Sequence, residues 1–225
     1  MRLRTRLRRA AGPLALAGAI SGAGTVAVAT AAPAFASGAA PPSRSALTAV
    51  AEHQYAAEIH GGVALGTLHR VGRDPTLLRL LASRNVRATR AYVQREFPAV
   101  WYHWHVSRMR ILQGSRVVVE TGVPFVVAPA QMTLHGPGGR PLGTLQVSIQ
   151  DEIGFVRLMH RNYGVDVAVR GQRTGQVRTS LPAAAYAKLP WSGPVTIAGQ
   201  PYRVTSFRQT AWNDEPVIAS ILFKG

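Results

Sequence analysis

The chain has 225 residues, 26 basic against 10 acidic side chains for a formal net charge of +16, and no cysteine. The length suits one domain or two small subdomains with a real core. The missing thiol excludes cysteine catalysis, cysteine-type zinc sites and thioether haem attachment. Arg2, Arg4, Arg6, Arg8 and Arg9 open the chain without an acid. An uncharged Ala/Gly/Leu/Val stretch follows and ends Ala34-Phe35-Ala36. A basic head, an apolar middle and small residues at the end are the order of a secretory signal, so residues 1–36 are predicted to direct export. An uncleaved anchor is the alternative, because the run reaches the roughly 20 residues that a membrane span needs. It is, however, built on Ala and Gly and interrupted by Pro13. Removal of residues 1–36 takes five basic residues away and leaves 189 residues at +11. Outside the cytoplasm such a charge argues against nucleic acid and for an anionic small ligand or an anionic cell-envelope polymer. Membrane contact is expected only if the N-terminal segment stays attached.

Residues 37–44 are Pro/Gly-rich and read as a linker to a domain spanning 45–225. From Ser45 to Val71 apolar residues recur every three or four positions, predicting a helix that bends or breaks at Gly61-Gly62. Asp74-Pro75 combines an N-cap with a first-turn proline, and Leu77, Leu78, Leu80 and Leu81 supply the buried face of the helix it starts. A further helix is expected over Val86–Phe97, stopped by Pro98. Aromatic and β-branched residues then predict a long strand over Val100–Leu112. Turn signals at Gln113-Gly114-Ser115 and Gly136-Pro137-Gly138-Gly139 separate strands over 116–120, 125–135 and 142–149. Asp151 caps a predicted helix over Glu152–Asn162, closed by Gly164. Strands are expected from Val165–Val169, Gln176–Ser180, Val195–Ala198, Tyr202–Thr210 and Val217–Phe223, with an Ala-rich connection over 182–190. Helices first and antiparallel strands after make an α+β chain. No internal repeat of fixed period is visible.

The order of pieces resembles a Cache domain, the PAS-like extracytoplasmic sensor domain of bacterial kinases and chemoreceptors. The likeness is carried by the long first helix, the phrase Asp74-Pro75-Thr76-Leu77-Leu78, the hairpins Gln113–Val118 and Gly138–Gly143, and the helix from Asp151. The strand Gly199–Tyr202, followed by a polar turn and a last apolar strand, carries the rest. The resemblance implies a long N-terminal helix packed on a five- or six-stranded antiparallel PAS-like sheet, with a small-ligand pocket on one sheet face. Members of the family feed a membrane helix and a signalling module after the last strand. This sequence ends at Gly225, so a free-standing sensor domain is expected.

The densest polar-aromatic cluster is Trp101-Tyr102-His103-Trp104-His105. On a strand, Trp101, His103, His105 and Ser107 would share one face, and Tyr102, Trp104, Val106 and Arg108 the other. Three readings are open: a packed, partly exposed sheet face; a His-x-His metal pair; or a pocket wall with Arg108 or Arg110 pairing an anion. The metal pair has no further ligand at a fixed spacing. Asp151 and Glu152 diverge and make a poor acid/base couple. There is no Gly-x-Ser-x-Gly elbow, no Ser-x-x-Lys, no His-Glu-x-x-His and no phosphate loop. The sequence therefore predicts an exported, non-enzymatic, sensor-like domain without cofactor or metal. It would bind a small anionic ligand through Trp101, His103, His105, Arg108, Arg110, Phe125 and Tyr163. The alternative is a basic protein of the cell wall or membrane surface without a pocket.

Overall fold

The computed structural model describes residues 43–182 and 189–225, apart from the side chains of residues 101 and 102. The signal-like segment, most of the linker and residues 183–188 of the Ala-rich connection lie outside the described residues. The first helix, α1 (Arg44–His60), begins at Ser43, whose hydroxyl accepts from the Ala46 N–H, and buries Leu47, Ala51 and Tyr55 at successive i+4 positions. It ends at Gly61, which donates its N–H to Ala57 O; a Cβ there would lie 2.4 Å from that carbonyl oxygen. The expected break is thus a requirement of close backbone approach. Beyond it α2 (Gly62–Gly72) buries Ala64, Leu68 and Val71. Asp74 caps α3 (Pro75–Ala82) through the Thr76 and Leu77 N–H groups and also accepts from the Tyr92 hydroxyl, tying α3 to α4 (Val86–Trp104).

Helix α4 corrects the expectation of a helix end at Pro98 and of a strand from Val100. The proline sits inside the helix, and the strand β1 (Arg108–Gln113) starts eight residues later than predicted. An interior proline costs about 3 kcal/mol. Burial on both sides of it offsets that cost: Phe97 is buried in a core with Leu77, Leu81 and Val93, and Val100 and Trp104 pack against that core.

Strands β1, β2 (Arg116–Gly122), β3 (Ala130–His135) and β4 (Pro141–Ser148) form an antiparallel sheet in the order β2-β1-β4-β3. Its inner face, with Met109, Ile111, Leu145 and Val147, packs with α2, α3 and α4. The strand expected over 125–135 is shorter than predicted, because Val126 and Val127 make only isolated bridges, to Asp151 and Ala211. Next comes α5 (Glu152–Tyr163), capped as expected by Asp151 Oδ1 on the Gly154 N–H and ended by Gly164 at φ 65°.

Strands β5 (Asp166–Gly171), β6 (Val177–Thr179), β7 (Ser192–Ile197), β8 (Gln200–Ala211) and β9 (Glu215–Lys224) form a second antiparallel sheet in the order β6-β5-β9-β8-β7. One face carries Val167, Val169, Phe207, Ala219 and Ile221 and is covered by α1 and α5. The α+β class and a helix-covered five-stranded antiparallel sheet are therefore present. The four-stranded sheet is a second layer that the sequence did not announce. Both sheets place their first and last strands side by side at the centre with the opening hairpin at one edge, so the winding repeats although the sequence does not.

Candidate functional site

The face of the five-stranded sheet turned away from α1 and α5 is set by the alternation of β5, β8 and β9. If Val167 and Val169 face the helices, Ala168 and Arg170 face the other way. Register aligns the rest: Ala168 and Ser206 both stand opposite Ser220, while Arg170 and Arg208 both stand opposite Ile218. The result is a row of small and hydroxylated side chains beside a row with a guanidinium at each end. Ser206 and Ser220 are buried, with their hydroxyl oxygens 2.9 Å apart. Leu189, Pro190 and Trp191 come over this face from the connection, and Arg208 stacks on the Trp191 ring at 5.4 Å. Together with Val177 they enclose a cavity of about 180 Å³. Arg170 is half-buried at its wall, and its guanidinium has no hydrogen-bond or ion-pair partner among the described residues. A half-buried cation beside two hydroxyls and an apolar floor can take one oxyanion and a short apolar group. Next to it the buried Asp166 accepts from Ser180 Oγ at 2.8 Å and from the Tyr202 hydroxyl at 3.2 Å, with His160 Nδ1 at 3.4 Å. The carboxylate and burial together push the Tyr202 phenol above its usual range, burial being the larger cause.

No family model and no curated protein matches the sequence. The structure is similar to the periplasmic domain of Vibrio cholerae LuxQ, at 10% identity over 80% of this chain and 98% of that one, with a TM-score of 0.53. The likeness is one of fold, the α+β, PAS-like fold that the resemblance to Cache domains implied. A looser likeness is to the sensory domain of the Campylobacter jejuni chemoreceptor Tlp3 with isoleucine bound: 5% identity, 80% of this chain, 88% of that one, TM-score 0.39.

Within this fold the residues predicted as the site are dispersed, and the Trp101 side chain lies outside the described residues. Trp101 and His103 belong to α4, so the shared strand face predicted for Trp101, His103 and His105 does not exist. His103 is exposed in the last turn. His105, at φ 54°, lines a separate depression with Glu58, Ser107 and Asp151. Phe125 is core, 4% exposed, and Tyr163 packs against the same core from the end of α5. Arg108 and Arg110 are engaged internally: their guanidiniums each lie 5.1 Å from the centre of the Trp212 ring. Arg108 also pairs with Glu120 at 2.6 Å, and Arg110 binds Gln146 at 2.8 Å and Asn213. Trp212 Nε1 donates to Glu120 at 2.8 Å. This cluster joins the polar face of the four-stranded sheet to the β8–β9 turn. Among the described residues no group of three or more His, Asp or Glu is placed to hold a metal ion.

The residues the sequence reading missed, Arg170, Trp191, Ser206 and Ser220, carry no motif. The one available signal was the hydrophobic alternation of Val165, Val167 and Val169, which assigns Arg170 to the face opposite the helices.

A second polar knot holds the sheet's end. Buried Glu215 accepts from the Arg173 and Thr174 N–H groups at 2.9 and 3.1 Å, from Thr174 Oγ1 and from Arg173 Nε. Burial works to raise its carboxyl, but these donors outweigh it and hold the group below the usual carboxylate range. A depressed carboxyl contributes stability that is present above its unfolded pKa and is lost as pH falls through the folded value. Glu215→Gln should therefore flatten the acid limb of the stability curve below about pH 4.5, near the ordinary glutamate value. Urea midpoints at pH 3 to 7 check this: an acid limb identical to wild type would show that Glu215 is not the titrating group.

Proposed function

We propose that the protein is an extracytoplasmic, non-enzymatic sensor-like domain that captures a small anionic molecule on the outer face of its five-stranded sheet. The observation that carries the reading is the half-buried Arg170, without a side-chain partner among the described residues, at the wall of the cavity that Leu189, Pro190 and Trp191 close and that Ser206 and Ser220 also line. The sensor fold supports it, as does the export signal read from residues 1–36. Among the described residues no helix is long and apolar enough to cross a membrane. A cavity of about 180 Å³ falls below the roughly 300–1,000 Å³ of sites for drug-sized ligands. The ligand class is accordingly a short carboxylate or similar oxyanion with a small apolar group.

Thermal denaturation of the protein against small carboxylates, amino acids, phosphates and divalent metals tests this. A ligand present at 100 times its dissociation constant adds about 2.7 kcal/mol to the folded state. A small carboxylate should give that shift in wild type and in Arg116→Ala, and none in Arg170→Ala. A carboxylate shift of equal size in Arg170→Ala, or no shift with any carboxylate, would refute the site.

A second reading, a basic surface for an anionic envelope polymer, draws on one feature. Arg157 and Arg161, one helical turn apart on α5, line an open groove of about 830 Å³ with His160 and Arg178. Retention on anionic polymer without any small-molecule stabilisation would favour it.

A further inference from the structure

Three arginines from three separate segments line one pocket at the far end of the four-stranded sheet. Arg84 lies in the turn between α3 and α4, Arg116 follows the Gly114-Ser115 turn of the β1–β2 hairpin, and Arg140 follows Gly139 in the β3–β4 hairpin. The pocket holds about 650 Å³ and contains no Asp or Glu; Thr133 and Thr144, directly opposite each other in the sheet, add hydroxyls to its wall. Among the described residues none of the three guanidiniums has a hydrogen-bond, ion-pair or ring partner. By contrast, Arg95, Arg108, Arg173 and Arg178 each meet a carboxylate. The frame is rigid where it matters. The Gln113 amide donates to Leu81 O at 3.2 Å and to Leu142 O at 3.1 Å, fixing the end of α3 to the hairpin that carries Arg140. Arg84 takes the left-handed conformation, φ 55°, which an arginine adopts only when its surroundings impose it.

Three unneutralised like charges around one pocket repel each other, and the arrangement gains most from an anion that carries more than one charge. Guanidiniums present paired donors that match the oxygens of phosphate. We propose that this pocket is a binding site for a phosphate-bearing ligand, held by Arg84, Arg116 and Arg140. It is independent of the cavity at Arg170, which lies on the other sheet. The phosphate can come from a soluble pyrophosphate or phosphate ester or from a lipid headgroup.

Calorimetric titration with pyrophosphate and with inorganic phosphate tests the first source. Co-sedimentation with phosphatidylcholine vesicles, with and without phosphatidylglycerol, tests the second. Loss of a charge-assisted contact should weaken binding by about tenfold or more in each of Arg116→Ala and Arg140→Ala, and the double variant should not bind. Both side chains are exposed, so an unchanged melting temperature confirms that the fold is intact. The double variant Arg44→Ala/Arg203→Ala, with the same loss of charge at two exposed positions elsewhere, should bind as wild type. Pyrophosphate binding lost in Arg116→Ala/Arg140→Ala supports a soluble ligand, and phosphatidylglycerol-dependent sedimentation lost in the same variant supports a headgroup. The proposal is overturned if neither arm shows binding, if the Arg44/Arg203 variant loses as much, or if citrate binds more tightly than pyrophosphate.

Discussion

Phe155→Ala should destabilise the protein by about 3–5 kcal/mol, the range for removing a fully buried phenylalanine. Phe155 is 0% exposed and meets the Tyr55 ring edge-on, with centroids 5.6 Å apart and planes at 81°. It stands where α1, α5 and the five-stranded sheet share one core with Val167, Ala219 and Ile221. The surrounding groups cannot close on the void without moving a helix. Tyr55 is itself held from the far side, its hydroxyl donating to Thr210 O at 2.8 Å, and burial drives its phenol well above the ordinary range. A natural domain is stable by only about 5–15 kcal/mol, so this loss is a large share of the total. Urea denaturation should show a lower midpoint with an unchanged slope. A loss below 1 kcal/mol would mean that α5 is not docked on the sheet as described.

Trp212→Ala should cost a similar amount, about 3–5 kcal/mol, with a different signature. Trp212 is 3% exposed in the short turn before β9. The guanidiniums of Arg108 and Arg110 on β1 of the four-stranded sheet each lie 5.1 Å from its ring centre, and its N–H serves Glu120 on β2. Besides the void, its removal uncovers Arg108 and Arg110 and frees one hydrogen bond of Glu120. The lost contacts join the two sheets, so the denaturation slope should fall and the two cores should melt in separable steps. Trp212→Phe keeps an aromatic face but gives up the N–H and part of the indole volume, so an intermediate loss of about 1–3 kcal/mol is expected. A single sharp transition in Trp212→Ala with a wild-type slope would show that the sheets are coupled elsewhere.

The contrast between two sets of arginines shows how far a sequence can carry a site. Arg108 and Arg110 looked like ligand residues because they follow an aromatic and histidine-rich run. That run is helical to Trp104, and both guanidiniums are spent on Trp212, Glu120, Gln146 and Asn213. Glu120 and Gln146 approach across the sheet, and the other partners are about a hundred residues away in the chain. Arg84, Arg116, Arg140 and Arg170 stand in turns and strands that carry no binding motif. They matter because no carboxylate reaches them, and ten acids distributed along the chain do not disclose which arginines they will neutralise.

What the sequence by itself determined was local. The caps at Asp74-Pro75 and Asp151, the stop at Gly164, the break at Gly61 and the two glycine turns all appear where their chemistry puts them, because each depends on groups within about four residues. The α+β order followed from periodicity. The tertiary structure alone decided that the strands divide between two sheets, since β1 meets β4 and β5 meets β9 only after long loops close. It alone carried α4 through Pro98, where burial of Phe97, Val100 and Trp104 outweighs a local helix-breaking preference. It alone formed the cavity at Arg170, because strand register, not sequence neighbourhood, brings the lining side chains together.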